Sequence, residues 1–147
     1  MWDRSLTVIT DEEQEILRSI GRWLAVNGEA IYETEVFRKY GEGPTQIVEG
    51  QFSDGIKKNF TSEDIRFTTA KGYLYAIALK CSESGDYCIR SLGIQDASKQ
   101  ANFHGIIKSV EVLGWEEAPE WNRDADGLHI KSSVKTSMPV AFRIKVD

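Results

Sequence analysis

The sequence contains only two cysteines, two histidines and three prolines among its 147 residues, and it has no apolar run long enough to cross a membrane. So few Cys and His residues do not supply the usual ligand sets for zinc, and we predict no metal site. Basic residues do not cluster and the net charge is −5, which argues against nucleic-acid binding. We therefore expect a soluble protein that contacts neither nucleic acid nor a membrane.

Motifs that carry catalysis are missing as well. The sequence has no G-x-S-x-G elbow, no glycine-rich phosphate loop and no H-E-x-x-H helix, so we expect no cofactor and no catalytic residue. Glycoside hydrolysis needs only two carboxylates. The acidic clusters, however, all fall in turn-like sequence, where carboxylates are usually solvated: Glu63-Asp64, Glu116-Glu117 and Asp124 with Asp126. His129, on the outward phase of a predicted strand, and His104, in a predicted loop, are expected to be ordinary polar residues.

The remaining composition is typical of one folded domain. Hydrophobic residues make up 41% of the chain and charged residues 28%, and the length suits a single core. The first four residues do not lead into an apolar segment, so no signal peptide is visible. Either the protein stays inside the cell or an upstream part of a longer protein is missing, and the sequence leaves its localisation open.

One helix is predicted near the N-terminus. Thr10 and Glu13 have the spacing of a capping box, and Asn27-Gly28 supplies residues that readily end a helix. Between them, apolar residues recur at helical spacing, and together they form one stripe: Ile16, Leu17, Ile20, Trp23 and Leu24. We predict a helix over residues 11–26.

After residue 28 the periodicity changes to that of strands. Val140, Phe142, Ile144 and Val146 alternate with polar or small residues, which is the pattern of a half-buried strand. Segments 65–68 and 128–135 alternate in the same way, and further short runs are 87–92 and 106–113. Segment 73–79 is apolar on both faces, which is typical of a central strand buried on each side. Glycine-containing turns separate most of them, and no second helix of comparable quality is visible. The sequence therefore predicts a mainly β protein, an antiparallel two-sheet β-sandwich of Greek-key or jelly-roll-like type preceded by one helix.

Two features allow alternatives. Cys81 and Cys88 lie near the ends of adjacent predicted strands, where they either form a cross-strand disulfide or remain two free thiols. Trp115 and Trp121 bracket a polar segment at one end of the predicted sandwich, and with Tyr87 they are candidates for stacking on sugar rings. The alternative is that these large rings cover the end of the core or an interface.

Several segments resemble the α-L-fucosidases of glycoside hydrolase family 29. Residues 20–34, IGRWLAVNGEAIYET, resemble the last helix of the family's catalytic (β/α) barrel and the loop that follows it. Residues 40–45 match the next segment, and residues 60–68, 74–79 and 110–114 look like strands of the C-terminal sandwich. The resemblance implies an N-terminal helical segment over residues 1–34 and a β-sandwich domain over residues 35–147.

The resemblance begins at the end of the barrel, and this has functional consequences. In the family, the nucleophile, the acid/base residue and the fucose-binding histidines precede this helix, and none has a counterpart here. The resemblance therefore implies a non-catalytic C-terminal part of a fucosidase, structural or weakly carbohydrate-binding, in a family often secreted, periplasmic or lysosomal.

Two other interpretations are compatible with the sequence. The chain is either a stand-alone carbohydrate-binding module for fucosylated glycans, or a subunit that completes a separate barrel chain or forms a homodimer. The second reading assigns an interface to Ile16, Leu17, Ile20 and Leu24, whose usual barrel neighbour is not in the chain.

Overall fold

The computed structural model describes residues 10–45, 60–94 and 105–147, and these form one helix followed by eight strands. The helix, α1, spans Asp11–Asn27 and passes directly into a single 3₁₀ turn over Gly28–Ala30. In chain order the strands are β1 Glu35–Glu42, β2 Ile65–Ala70, β3 Tyr73–Ala78, β4 Asp86–Ile89, β5 Ile107–Val112, β6 Glu120–Asp124, β7 Gly127–Lys131 and β8 Val140–Val146.

The start of α1 is fixed by the predicted capping box. Thr10 Oγ1 accepts a hydrogen bond from the Glu13 backbone N–H at 3.1 Å, and the Glu13 carboxylate accepts one from the Thr10 N–H at 3.3 Å. Asp11 and Glu12 add negative charge where the helix dipole favours it. The helix predicted over residues 11–26 is confirmed, with one further residue at its end.

The strands form two antiparallel sheets, as the period-2 pattern predicts. A five-stranded sheet has the order β1-β2-β3-β8-β5, and a three-stranded sheet has the order β4-β7-β6. The chain crosses between the sheets after β3, so that β4, β6 and β7 cover one face of the larger sheet. The predicted antiparallel β-sandwich with one preceding helix is therefore confirmed.

The core lies between the two sheets. Alternate residues of β3 and β8 face inwards, and Phe142 packs edge-on against the Tyr87 ring at a centroid distance of 5.0 Å. The other buried members come from six strands and two connections: Ile65, Phe67, Leu74, Ala76, Ala78, Ile89, Leu92, Ile107, Val110, Val112, Leu128, Ile130, Val134, Val140 and Ile144.

A second, smaller cluster lies on the opposite face of the five-stranded sheet. Tyr75, Ile77 and Ala141 face outwards there, and they pack against Ala30 and the half-buried Trp23. Thr68 Oγ1 donates to the carbonyl oxygen of Ala30 at 2.6 Å, which ties the segment after α1 to β2. The end of α1 is therefore docked on the outer face of the larger sheet.

Two strands were not predicted from the sequence. In β1 the pairing with β2 shifts between Val36 and Gly41, and this irregularity breaks the alternation that marks a strand. In β6 the sequence EWNRD is mostly polar, and its residues are half-buried or exposed at the edge of the smaller sheet. Period-2 patterns identify strands with one well-buried face, and neither segment has one.

Candidate functional site: the exposed face of helix α1

The most prominent exposed apolar feature is on α1. Ile16, Leu17 and Ile20 have 59%, 56% and 46% of their surface exposed, and Leu24 is half-buried one turn further on. At 100° per residue these four side chains lie within one sector of about 100° on the helix, and we call them the helix stripe. Each would gain about 1.5–3 kcal/mol if it were fully buried. The structure therefore brings together the four residues that the sequence assigned to an interface, and it leaves three of them exposed.

The second half of α1 is held firmly. The Trp23 indole N–H donates to the Pro139 carbonyl at 2.8 Å, and Gly114 lies so close to Val26 that a Cβ atom there would not fit. Because these contacts fix only the C-terminal half of the helix, the stripe projects from the sandwich on a rigid element.

Exposed apolar residues also lie beside the helix on β1. Val36, with 86% of its surface exposed, is paired with Thr68, and opposite residues of an antiparallel pair lie on one face. Since Thr68 bonds Ala30 after the helix, Val36 lies on the helix side of the sheet. Exposed Tyr40 lies on the same side, under the Arg66 guanidinium at 5.7 Å. We call Val36 and Tyr40 the β1 patch, which sequence analysis missed because β1 itself was not predicted.

Charged groups on this face are mutually paired. Arg143 lies between Glu111 and Glu29, bonding the first through Nη2 and the second through Nη1 at 3.1 Å. The hydrogen bond to Glu111 raises the pKa of Arg143 most, burial acts in the opposite direction, and the hydrogen bond to Glu29 adds to the rise. The Tyr75 hydroxyl donates to Glu29 at 2.8 Å, and burial together with this bond raises its pKa to about 12. The network joins the 3₁₀ turn to three strands and thereby fixes the position of the end of α1 on the larger sheet.

The acidic clusters serve local structure. Asp64 is buried and accepts four hydrogen bonds from Thr45 and Thr61. Glu117 accepts hydrogen bonds from Ser132 and Ser133, and these bonds lower the pKa of its carboxyl. In the β6–β7 turn, Asp124 Oδ1 accepts from the backbone of residues 126 and 127 and lies 2.9 Å from His129 Nε2. In each cluster, therefore, one carboxylate accepts hydrogen bonds that hold a turn or loop in place.

Of the aromatic candidates for sugar stacking, Tyr87 and Trp121 line one concavity and Trp115 lies elsewhere. Tyr87 is buried in the core, where its hydroxyl accepts from the Ser82 N–H at 2.9 Å and donates to Cys81 Sγ, so its ring offers no face for stacking. Trp121 is paired with core-facing Ile130, which places its side chain on the inner side at a sheet edge. Trp115 lies elsewhere, after β5, beside α1.

A concavity of about 740 Å³ covers the outer face of the smaller sheet. Two rows of side chains cross this face: Asp86, Lys131 and Glu120, then Cys88, His129 and Asn122. Trp121 and Tyr87 also line the concavity, and its other lining residues are mostly polar. This face is accordingly polar.

The two cysteines are free thiols in the structure. Cys81 Sγ donates to the Val134 carbonyl at 3.3 Å, whereas Cys88 lies opposite His129 on the outer face of the smaller sheet. Burial raises the pKa of the Cys88 thiol. The two thiols thus have different surroundings.

Residues 10–45, 60–94 and 105–147 offer neither a clustered set of metal ligands nor a membrane-spanning helix. No group of three or more His, Cys, Asp or Glu side chains in these ranges is placed to hold a metal ion. Within the same ranges, no helix has the length and apolar character needed to cross a bilayer. His104 lies outside the described residues.

Comparisons with known proteins point to one family. None of the known family models matches the chain. In sequence, it is 30% identical over 109 residues to an α-L-fucosidase of Branchiostoma floridae, which covers 74% of this chain and 18% of that protein. The chain thus spans less than a fifth of the length of this curated relative.

Solved structures share the fold. The chain is similar to the Thermotoga maritima α-fucosidase in complex with a mechanism-based inhibitor, with a TM-score of 0.61 and 21% identity over 94% of this chain and 27% of that one. A second structure of the Thermotoga maritima α-fucosidase gives a TM-score of 0.60 and 20% identity over 93% and 27% of the two chains. Together with the sequence match, this shared helix and sandwich support the resemblance of the chain to the C-terminal domain of the α-L-fucosidases of glycoside hydrolase family 29.

Proposed function

We propose that this chain is a non-catalytic support for a fucosidase-type catalytic barrel, in which α1 covers the barrel and the sandwich holds α1 in position. The observation that carries the proposal is the helix stripe. Ile16, Leu17 and Ile20 are exposed on a helix whose other half is tightly docked. An apolar face that is both rigid and exposed is typical of a surface that a partner covers.

The extent of the relatives supports a barrel as that partner. The matched region covers 27% of the Thermotoga maritima chain and 18% of the Branchiostoma floridae protein, so most of each has no counterpart here. The α1 segment is the one that resembles the last barrel helix, and a barrel helix packs its apolar side against the barrel strands. The stripe therefore has the chemistry and the position expected of that contact.

The β1 patch supports the same partner. Val36 and Tyr40 lie on the helix side of the larger sheet, so a body packed against the stripe also reaches β1. Two apolar surfaces on one side of the molecule are better matched by a large folded domain than by a short peptide.

Binding to a barrel tests the proposal directly. The tagged barrel region of the Branchiostoma floridae α-L-fucosidase, truncated before the part matched by this chain, is mixed with the purified chain and recovered. We expect a one-to-one complex with the unaltered chain and none with the triple variant Ile16→Ser, Leu17→Ser, Ile20→Ser. A matched control, Gln14→Ser, Arg18→Ser, Ala25→Ser, alters the opposite side of α1 and should bind as the unaltered chain does.

Two results would contradict the proposal. One is a discrete homodimer of the chain that excludes the barrel and dissociates in the stripe variant, because the stripe would then bind a second copy. The other is hydrolysis of an aryl α-L-fucoside by the chain alone that persists at constant specific activity through repeated purification. We expect no hydrolysis by the chain alone.

A further inference from the structure

A groove of about 340 Å³ lies between α1 and the sandwich, on the side where Trp115 is exposed. Its floor is formed by Leu113 and Ala141, which are buried against the larger sheet. Trp23 stands on one wall, held there by its hydrogen bond to Pro139. This volume is at the lower end of the range of about 300–1,000 Å³ that small-molecule sites occupy.

Trp115 forms the opposite wall, and the conformation of the neighbouring backbone sets its position. Gly114, with a φ of 84°, has the left-handed conformation that favours glycine, and its backbone packs directly on Val26. The Trp115 N–H then donates to the Val112 carbonyl at 3.2 Å, which closes the turn after β5. The Trp115 ring is 48% exposed at the groove although its backbone is fixed. Because the backbone of Trp115 is already fixed, no backbone ordering has to be added when the residue binds a ligand.

Uncharged polar side chains lie beside the aromatic rings in the groove. Asn27 is 7% exposed and donates its carboxamide N–H to the Trp23 carbonyl at 3.1 Å, which leaves its carboxamide oxygen to accept. Ser19 and the exposed Ser137 add hydroxyl groups, and Arg22, paired with Glu15 at 2.8 Å, lies at the rim. None of the residues that line the groove is acidic.

We propose that this groove binds a single neutral pyranose ring, with Trp115 stacked on the apolar C–H face of the sugar and the Asn27 oxygen and serine hydroxyls bonded to its hydroxyl groups. A pyranose has one apolar face and a rim of hydroxyls, and the groove pairs an exposed ring with neutral donors and acceptors. The acyl chain of a lipid would use the floor and the rings but offer no hydrogen-bond donor to the Asn27 oxygen.

The groove and the helix stripe lie on adjacent sides of α1. Ser19, Arg22 and Val26 lie within about 60° of each other around the helix, and the helix stripe begins at Ile16, about 60° further round. The docked Trp23 lies between the two sides. The groove and the stripe therefore use different residues of α1.

Titration followed by nitrogen-15 NMR tests the groove. The probes are methyl α-L-fucopyranoside and methyl β-D-galactopyranoside, each titrated into the purified full chain. We expect saturable shifts of the Trp115 indole N–H and of the Asn27 carboxamide, with a dissociation constant on the order of millimolar for so small a ligand. Trp115→Ala should weaken binding at least tenfold while the other amide resonances keep their positions.

Trp121→Ala is the matched control, because Trp121 is the other partly exposed tryptophan of the sandwich, 36% exposed, and lies on a different part of it. It should leave the affinity unchanged. Asn27→Asp places a charge at the acceptor. Sugar binding through this acceptor should respond to the charge, whereas simple apolar contact should be insensitive to the charge. The proposal would be overturned if the saturable shifts appeared at Trp121 instead. It would also be overturned if neither glycoside caused a shift at a concentration ten times the expected millimolar dissociation constant.

Discussion

The Trp23 indole N–H donates to the Pro139 carbonyl at 2.8 Å, a contact between residues 116 positions apart. It joins the last turns of α1 to the segment that leads into β8, the strand between β3 and β5 in the larger sheet. The Trp23 ring also packs on the outer cluster with Ala141 and Leu113. One side chain therefore contributes both a hydrogen bond and apolar burial to the docking of the helix.

Trp23→Phe should weaken the docking of α1 without unfolding the sandwich. The substitution keeps an aromatic ring but removes the donor, and the Pro139 carbonyl is left with water as its replacement partner. We expect a loss of about 1 kcal/mol in the free energy of unfolding. Urea denaturation measures this loss, and hydrogen exchange should show faster exchange over residues 20–27 than in the strands.

Trp121→Phe provides the comparison for that experiment, since Trp121 lies at the edge of the smaller sheet, away from α1. It should change the stability by less than about 0.5 kcal/mol. Equal losses from the two substitutions would show that the Trp23 bond has no special part in docking.

Asp64 should make the fold sensitive to acid. It is fully buried, and burial alone would raise the pKa of its carboxyl. The hydrogen bonds from Thr61 and Thr45 outweigh that effect, so the pKa is lowered from its ordinary value. Because the folded pKa is below the unfolded one, the stabilisation is fully present above about pH 4 and is lost as the pH falls through the folded value.

Asp64→Asn tests this assignment. An amide nitrogen cannot accept the hydrogen bonds that one carboxylate oxygen now accepts, and the variant should lose about 2–3 kcal/mol at neutral pH. The stability difference between the two proteins, measured by urea denaturation, should shrink as the pH falls below about 4. Glu63→Gln, at the exposed neighbouring position, should have little effect; a pH-independent difference at Asp64 would argue against the charge as the cause.

How far the sequence predicted the fold depended on local signals. The capping residues Thr10 and Glu13 specify the beginning of α1, because both bonds of the box form within one turn. The strands with one buried face were predicted by alternation, as in β8. The order of the strands was not, because the placement of β8 between β3 and β5 depends on contacts far apart in the chain.

The same distinction between local and long-range signals applies to the candidate site residues. The helix stripe could be predicted because helical spacing alone places Ile16 and Ile20 on one side of α1. The side on which Trp121 lies is set by its register with Ile130, and the burial of Tyr87 by the sheet packed over it. Neither relationship leaves a mark in the neighbouring sequence.

The Tyr75–Glu29 bond should be visible in an alkaline titration. The pKa of Tyr75, raised to about 12 by burial and then by the Glu29 carboxylate, lies above the usual value of about 10. The bond therefore stabilises the fold fully below about pH 10, and the stabilisation is lost as the pH rises through 12. In the ultraviolet absorbance of tyrosinate, Tyr75→Phe should remove one late-titrating group, and Glu29→Gln should move that group to lower pH.

The β2–β3 turn offers a stabilising substitution. Lys71 has a φ of 51°, and Gly72, which follows it, has a φ of 84°, so both central residues of this two-residue hairpin loop are left-handed. A type I′ turn of this kind favours Asn-Gly, because asparagine adopts the left-handed conformation more easily than lysine. Lys71→Asn should therefore stabilise the protein by about 0.5–1 kcal/mol in urea denaturation. Lys71→Ala removes the charge but keeps the strained conformation, so it should give no such gain; an equal gain from both would assign the effect to charge instead of backbone conformation.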